Sequence, residues 1–195
     1  MKPYEGFKSE ANSVKVAPLP AGPYVAKILN VKIDGREPDQ TLILRVDVSE
    51  GLQAGYFMNR YKKESSNTKS QYPAKYKGDY KLRIPNRENK RAQYPESDIA
   101  RFNDAIYRIE QSNPGYHWDW NEQGLIGLEI GINMQPGEYN GHAFTRIGRL
   151  EISGDVRQGI VSPMTAREQQ GDADDSAHID PQSGFTAVET DELPF

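Results

Sequence analysis

Between residues 56 and 94, seven aromatic rings are interleaved with eleven cations. The rings are Tyr56, Phe57, Tyr61, Tyr72, Tyr76, Tyr80 and Tyr94. The cations are Arg60, Lys62, Lys63, Lys69, Lys75, Lys77, Lys81, Arg83, Arg87, Lys90 and Arg91. A single-stranded nucleic acid needs both kinds of side chain. Cations neutralise phosphates and release counterions, and exposed aromatic faces stack unpaired bases. The candidate nucleic-acid contacts are therefore Tyr56, Phe57, Arg60, Tyr61, Lys62, Lys63, Tyr72, Lys75, Tyr76, Lys77, Tyr80, Lys81 and Arg83. The plainer alternative is a solvated loop whose lysines aid solubility and whose tyrosines pack its base.

Charge is distributed unevenly along the 195 residues. The chain carries a net −4, yet residues 56–91 hold eleven Lys or Arg against three acids, a net +8. Residues 163–195 hold one base and eight acids, a net −7, and close on "DELPF". Apolar residues behind a run of carboxylates form a short peptide that a partner can read. The Phe195 ring would fill an apolar pocket, its carboxylate would meet a basic group, and Asp191 and Glu192 would steer the approach. Asp191, Glu192, Leu193, Pro194 and Phe195 are thus the candidate partner-binding tip.

Other chemistries find less support. His117, His142 and His178 have no metal-binding spacing, no serine sits in a nucleophile elbow, and no glycine pattern cradles a nucleotide. The glycines of "GLIGLEIG" fall in a β-like run and are expected to mark close packing or a bulge. No catalytic residue, metal or cofactor is expected. The absence of cysteine fits a reducing compartment and excludes disulfides. There is no signal-peptide run at the N-terminus and no apolar stretch of membrane-spanning length, so a cytoplasmic protein with no membrane partner is expected.

The elements that must hold the basic stretch are mostly strands. "PYVAKILNVKID" is β-rich after a Pro/Gly start, and "TLILRVDV" alternates Leu42, Leu44, Val46 and Val48 against Ile43, Arg45 and Asp47. The two should pair as a hairpin across "DGREPD". "AGYFMNRYKK" reads as a third strand or its approach, residues 62–95 as a long loop with a short strand at "YKLRIP". A helix is expected from about Ser97 to Ser112, with Ile99, Phe102, Ile106 and Ile109 on one face and Asn113-Pro114-Gly115 as its stop. Trp118 and Trp120 follow that stop and are expected to cover the core there, with base stacking by one of them as the alternative. "GLEIGINMQ" and "HAFTRIGRLEIS" form a last strand pair. Five strands, a helix before the last pair and a long basic loop suit a small Greek-key barrel of the OB-fold type. The expected organisation is a flexible arm over residues 1–18, the barrel over 19–162, and a disordered acidic tail over 163–195.

Two resemblances go further. "DELPF" resembles the tip of bacterial and phage single-stranded DNA-binding proteins. "LPAGPYVAKILNVKID", "VSEGLQAGYF" and "SNPGYHWDWNE" resemble a family of phage-encoded single-stranded DNA-binding replication proteins, over roughly residues 19–162. This resemblance implies an OB-fold, binding of single-stranded DNA without sequence specificity during phage replication and recombination, and a tail that recruits replication and recombination proteins. The N-terminal strand pattern and the Trp-Asp-Trp segment differ from the cellular proteins, which leaves the oligomeric state open, a homo-oligomer included. The competing reading is a protein-interaction adaptor or an RNA-binding protein that uses the basic, tyrosine-rich loop.

Overall fold

A computed structural model of the chain describes residues 17–66, 73–86, 95–139 and 142–166. Tyr72 and the tip Asp191–Phe195 lie outside the described residues. Five strands form one antiparallel sheet: β1 (Gly22–Asp34), β2 (Thr41–Val48), β3 (Asp79–Arg83), β4 (Glu129–Tyr139) and β5 (His142–Glu151). Their order is β3-β2-β1-β4-β5, curled into a nearly closed, OB-like barrel. Helix α1 (Tyr56–Ser65) follows β2. Helix α2 (Pro95–Ser112) lies between β3 and β4, where the OB arrangement places one. A short 3₁₀ turn (Glu122–Leu125) precedes β4, and α3 (Ser153–Arg157) follows β5.

β1 serves two neighbours. Gly22–Lys27 pair with β4, and Ala26–Asp34 pair with β2. The change of partner coincides with a bulge: Ile28 faces Val46 and Asn30 faces Arg45, so Leu29 is one residue too many. An extra residue bends a strand and reverses its alternation. Ala26 and Ile28 point into the core before the bulge, and Val31 does so after it. This explains the mixed apolar pattern of the segment. β2 has no such interruption, and Leu42, Leu44, Val46 and Val48 are all buried.

The "AGYFMNRYKK" segment is helical, not a strand. A carboxylate nine residues upstream of its first turn decides this. Asp47 Oδ1 accepts the Phe57 N–H at 2.8 Å and the Val48 N–H at 2.9 Å, and Oδ2 accepts the Met58 N–H at 3.0 Å. A carboxylate at a helix N-terminus satisfies orphan donors and meets the positive end of the helix dipole. Gly55, at φ 73, turns the chain into the helix while its N–H donates to the Val48 carbonyl. The expected loop over residues 62–95 is correspondingly shorter, because Lys62–Ser65 complete α1 and the "YKLRIP" strand is β3.

α2 starts two residues before the expected Ser97. Phe102, Ile106 and Ile109 of its stripe are buried, with Ala105 beside them, and Ile99 is half-buried. Two arginines fasten α2 across the gap between β3 and β5. Arg83 of β3 pairs with Asp98, and Arg108 of α2 pairs with the buried Glu151 of β5. Residues at both margins of the barrel lie against it. The Ala17 carbonyl accepts the Tyr56 hydroxyl, Leu19 is in the core, and the Ser162 carbonyl accepts the Asn133 side-chain amide.

Removing the Asp47 carboxylate leaves the Phe57 and Met58 N–H groups without an acceptor. Asp47→Ala is expected to cost about 1–3 kcal/mol. Urea denaturation should show a lower midpoint with an unchanged slope, and amide exchange at Phe57 and Met58 should accelerate before that of the strands. Asp47→Asn keeps one acceptor oxygen and should lose less. Ile109→Ala, at the centre of the core, should cost about 2–5 kcal/mol and lower protection throughout the barrel.

Candidate nucleic-acid interface

The outer face of β1, β2 and β3 presents side chains in rows set by the register. One row is Lys32, Ile43 and Lys81; the next is Asn30, Arg45 and Asp79. Between these rows lies a shallow depression of about 180 Å³, lined by both. The segment after α1 bounds this face at one end.

Arg45 organises that end. Its guanidinium grips Asp79 with two hydrogen bonds, 2.9 Å from Nε and 3.1 Å from an Nη. That grip raises its pKa above the usual arginine value. The same guanidinium carbon lies 4.7 Å from the centroid of the Tyr76 ring, a cation–π contact. Tyr76 is in turn fixed by its hydroxyl, which donates to the Val46 carbonyl at 2.9 Å. Burial, with the Asp47 charge nearby, pushes that hydroxyl well above the ordinary phenol range, so it stays a neutral donor. Tyr61 meets Tyr76 edge to face, 5.9 Å between centroids, and is 37% exposed. Three side chains thus form a fixed platform with Tyr61 as its most accessible ring.

Close backbone approach makes this possible. The Gly78 carbonyl accepts the Val46 N–H at 2.8 Å. A Cβ at residue 78 would stand 2.4 Å from the Val46 carbonyl oxygen and 2.8 Å from the Phe57 ring. Only glycine lets the chain carrying Tyr76 lie this close to β2.

The candidate contacts divide into four groups. Lys62, Lys63, Lys75, Lys77 and Lys81 are exposed around the platform, and none has an ion-pair partner among the described residues. Tyr61 and Tyr76 form the platform. Tyr56, Arg60 and Arg83 are committed to the fold. The Tyr56 hydroxyl bonds Ala17 and Arg60, Arg60 pairs with Glu64, and Arg83 pairs with Asp98. Phe57 and Tyr80 are not on this surface. They are 2% and 9% exposed, inside the core, and have no free face for a base. Phe57 is turned in by the start of α1, and Tyr80 shares the inward face of β3 with Leu82. The sequence reading missed Arg45, Asn30 and Lys32. The alternation of β2 already placed Arg45 outward, but nothing local announced that Asp79 and Tyr76 would meet it.

The two tryptophans separate. Trp118 is half-buried, its ring 6.4 Å from Phe102, and its backbone N–H donates to the Glu110 carboxylate. It covers the core as expected. Trp120 does not, being 67% exposed. Its φ is 65°, the one positive value for a non-glycine among the described residues. For an L-residue this conformation costs about 1–2 kcal/mol.

Among the described residues, no group of His, Asp or Glu is disposed to hold a metal ion, and no helix is long and apolar enough to cross a membrane.

Gly78→Ala should disturb the platform from behind. Overpacking of this kind costs about 1–3 kcal/mol, and the ring resonances of Tyr61 and Tyr76 should lose their mutual shielding. Tyr76→Phe removes one hydrogen bond, about 0.5–1.5 kcal/mol, while the ring stays. A Tyr61 ring environment that is unchanged in Tyr76→Phe but altered in Gly78→Ala would verify this arrangement by NMR. No protein-family model matches the chain, and no curated protein is significantly similar to it.

Proposed function

We propose that the chain binds single-stranded DNA without reading its sequence, on the outer face of β2 and β3. The observation that carries this reading is the Tyr61–Tyr76–Arg45 platform with five exposed lysines about it that have no ion-pair partner among the described residues. The β2–β3 face is also the one on which barrels of this type bind oligonucleotides. The division of labour follows from the chemistry. Lysines are mobile point charges suited to following a phosphate backbone whatever its sequence. Tyr61 offers a ring to a base, and stacking is indifferent to base identity. Asp79 lies within this face, but the Arg45 guanidinium already neutralises it.

The setting implied by the resemblance is phage replication and recombination, where such a protein coats unwound strands. In that setting the acidic segment ending at Asp191–Phe195 recruits partner proteins. That part of the proposal rests on the sequence, because the segment lies outside the described residues.

Binding is tested by fluorescence anisotropy with labelled oligothymidylate, the matching duplex and oligouridylate, at matched salt. Single-stranded DNA should bind most tightly. Its affinity should fall with salt at a logarithmic slope of about −3.5, if all five lysines meet phosphates. Tyr61→Ala should weaken binding by about 1–3 kcal/mol with little change in thermal midpoint, because the ring is largely outside the core. Equal affinity for duplex and single strand would refute the proposal. A preference for oligouridylate would transfer it to RNA.

A further inference from the structure

Trp120 plays no part in the platform described above, yet it is costly to keep. Its indole is exposed while its backbone sits in the left-handed region. Glycine or asparagine would occupy that backbone with less strain. A disfavoured conformation persists only where the surroundings impose it. Here they are aromatic. The Trp120 ring lies nearly parallel to Phe102, 5.9 Å between centroids and 12° between planes, with Trp118 tilted against its side. Phe102 is 2% exposed and belongs to the core. The indole is therefore held in one pose by a rigid support and left open to solvent. That is the form of a stacking surface, not of a core residue that failed to be covered.

A chain of contacts joins Trp120 to the platform. Arg45 grips Asp79 at the start of β3, Arg83 at its end pairs with Asp98 on α2, and Phe102 stands one turn beyond Asp98 on that helix. Lys81 lies between on the outer face. Four residues of strand rise about 13 Å, and one helical turn adds about 5 Å. We infer that Trp120 is a second stacking surface for the same strand, which runs from Tyr61 and Tyr76 over Lys81 and Arg83 to Trp120. This inference rests on the single-strand reading proposed above. Asp119 and Glu122 flank Trp120, so its contact is with a base and not a phosphate. Asp119 is turned back to the Asn121 N–H.

The chain contains two tryptophans. Trp118→Phe leaves Trp120 as the sole indole, keeps a ring against Phe102, and removes a buried Nε1 that has no acceptor among the described residues. Oligothymidylates of about 3 and about 12 residues fall below and within the roughly 4–16 nucleotides that one OB-fold covers. The longer one should quench Trp120 emission in the Trp118→Phe protein. Trp120→Ala should lower affinity for the longer oligomer about ten-fold and leave its salt slope unchanged, because no phosphate contact is lost. Trp120→Gly should show the same loss with a thermal midpoint no lower than that of Trp120→Ala, which separates stacking from folding. The inference is overturned, with the single-strand reading intact, if the longer oligomer binds while Trp120 emission and the affinity of Trp120→Ala are unmoved. If neither oligomer binds at low salt, the reading itself fails and the inference falls with it.

Discussion

One buried carboxylate sets the geometry of the candidate interface. Asp47 stands on the outward side of β2, where most positions face water, yet it is buried because α1 begins on top of it. Three backbone N–H groups surround its two oxygens. Burying a carboxylate is expensive unless such donors replace water, so the helix start and the charge stabilise each other. Through this contact α1 is fixed to β2. Phe57 is thereby driven into the core, Tyr61 is carried one turn along to the surface, and Tyr76 finds a wall to rest against.

Around the platform, arginine and lysine have separated roles, although on the same sheet face Lys32 pairs with Asp34. Arg45, Arg60, Arg83, Arg108 and Arg157 each hold a carboxylate, and several of these bonds join elements far apart in sequence. The planar fork of the guanidinium suits such fixed pairing. The lysines around the platform make no such bond among the described residues. A count of cations along the sequence merges two populations, one that assembles the barrel and one that is left exposed on its surface. Exposed ion pairs contribute little stability each, but they also cancel charge. The positive field of this face is therefore smaller than its composition suggests and is centred on lysine.

Much of the barrel was legible because its signals are local. The alternation of Leu42, Leu44, Val46 and Val48, and the helical spacing of Phe102, Ile106 and Ile109, each need only a short window. Helix α1 was not legible, because its cap comes from Asp47, on the preceding strand, and because Tyr56-Phe57-Met58 mimics a strand. The interface was half legible. A basic, aromatic stretch is visible as composition, but composition does not say which rings turn inward. For Tyr80 a signal was present, since it shares the parity of Leu82 in β3. For Phe57 there was none. Trp118 and Trp120 read alike as core cover, with base stacking by one of them as the alternative, and no local signal tells the exposed ring from the half-buried one.

The bulge at Leu29 has a consequence for how this sequence can vary. Its side chain is substantially exposed, and nothing in the core depends on what it is. Its presence is another matter. Deleting this one residue would leave a regular ladder, with Ile28 on Val46, Asn30 on Arg45 and Val31 still facing the core, but it would remove the local bend where β1 passes from β4 to β2. The curvature of the barrel is stored there as a number of residues and not as a kind of residue. Related chains can therefore be expected to drift freely in letter at this position while holding their length, so that a gap at residue 29 would mark a different barrel more surely than any substitution nearby.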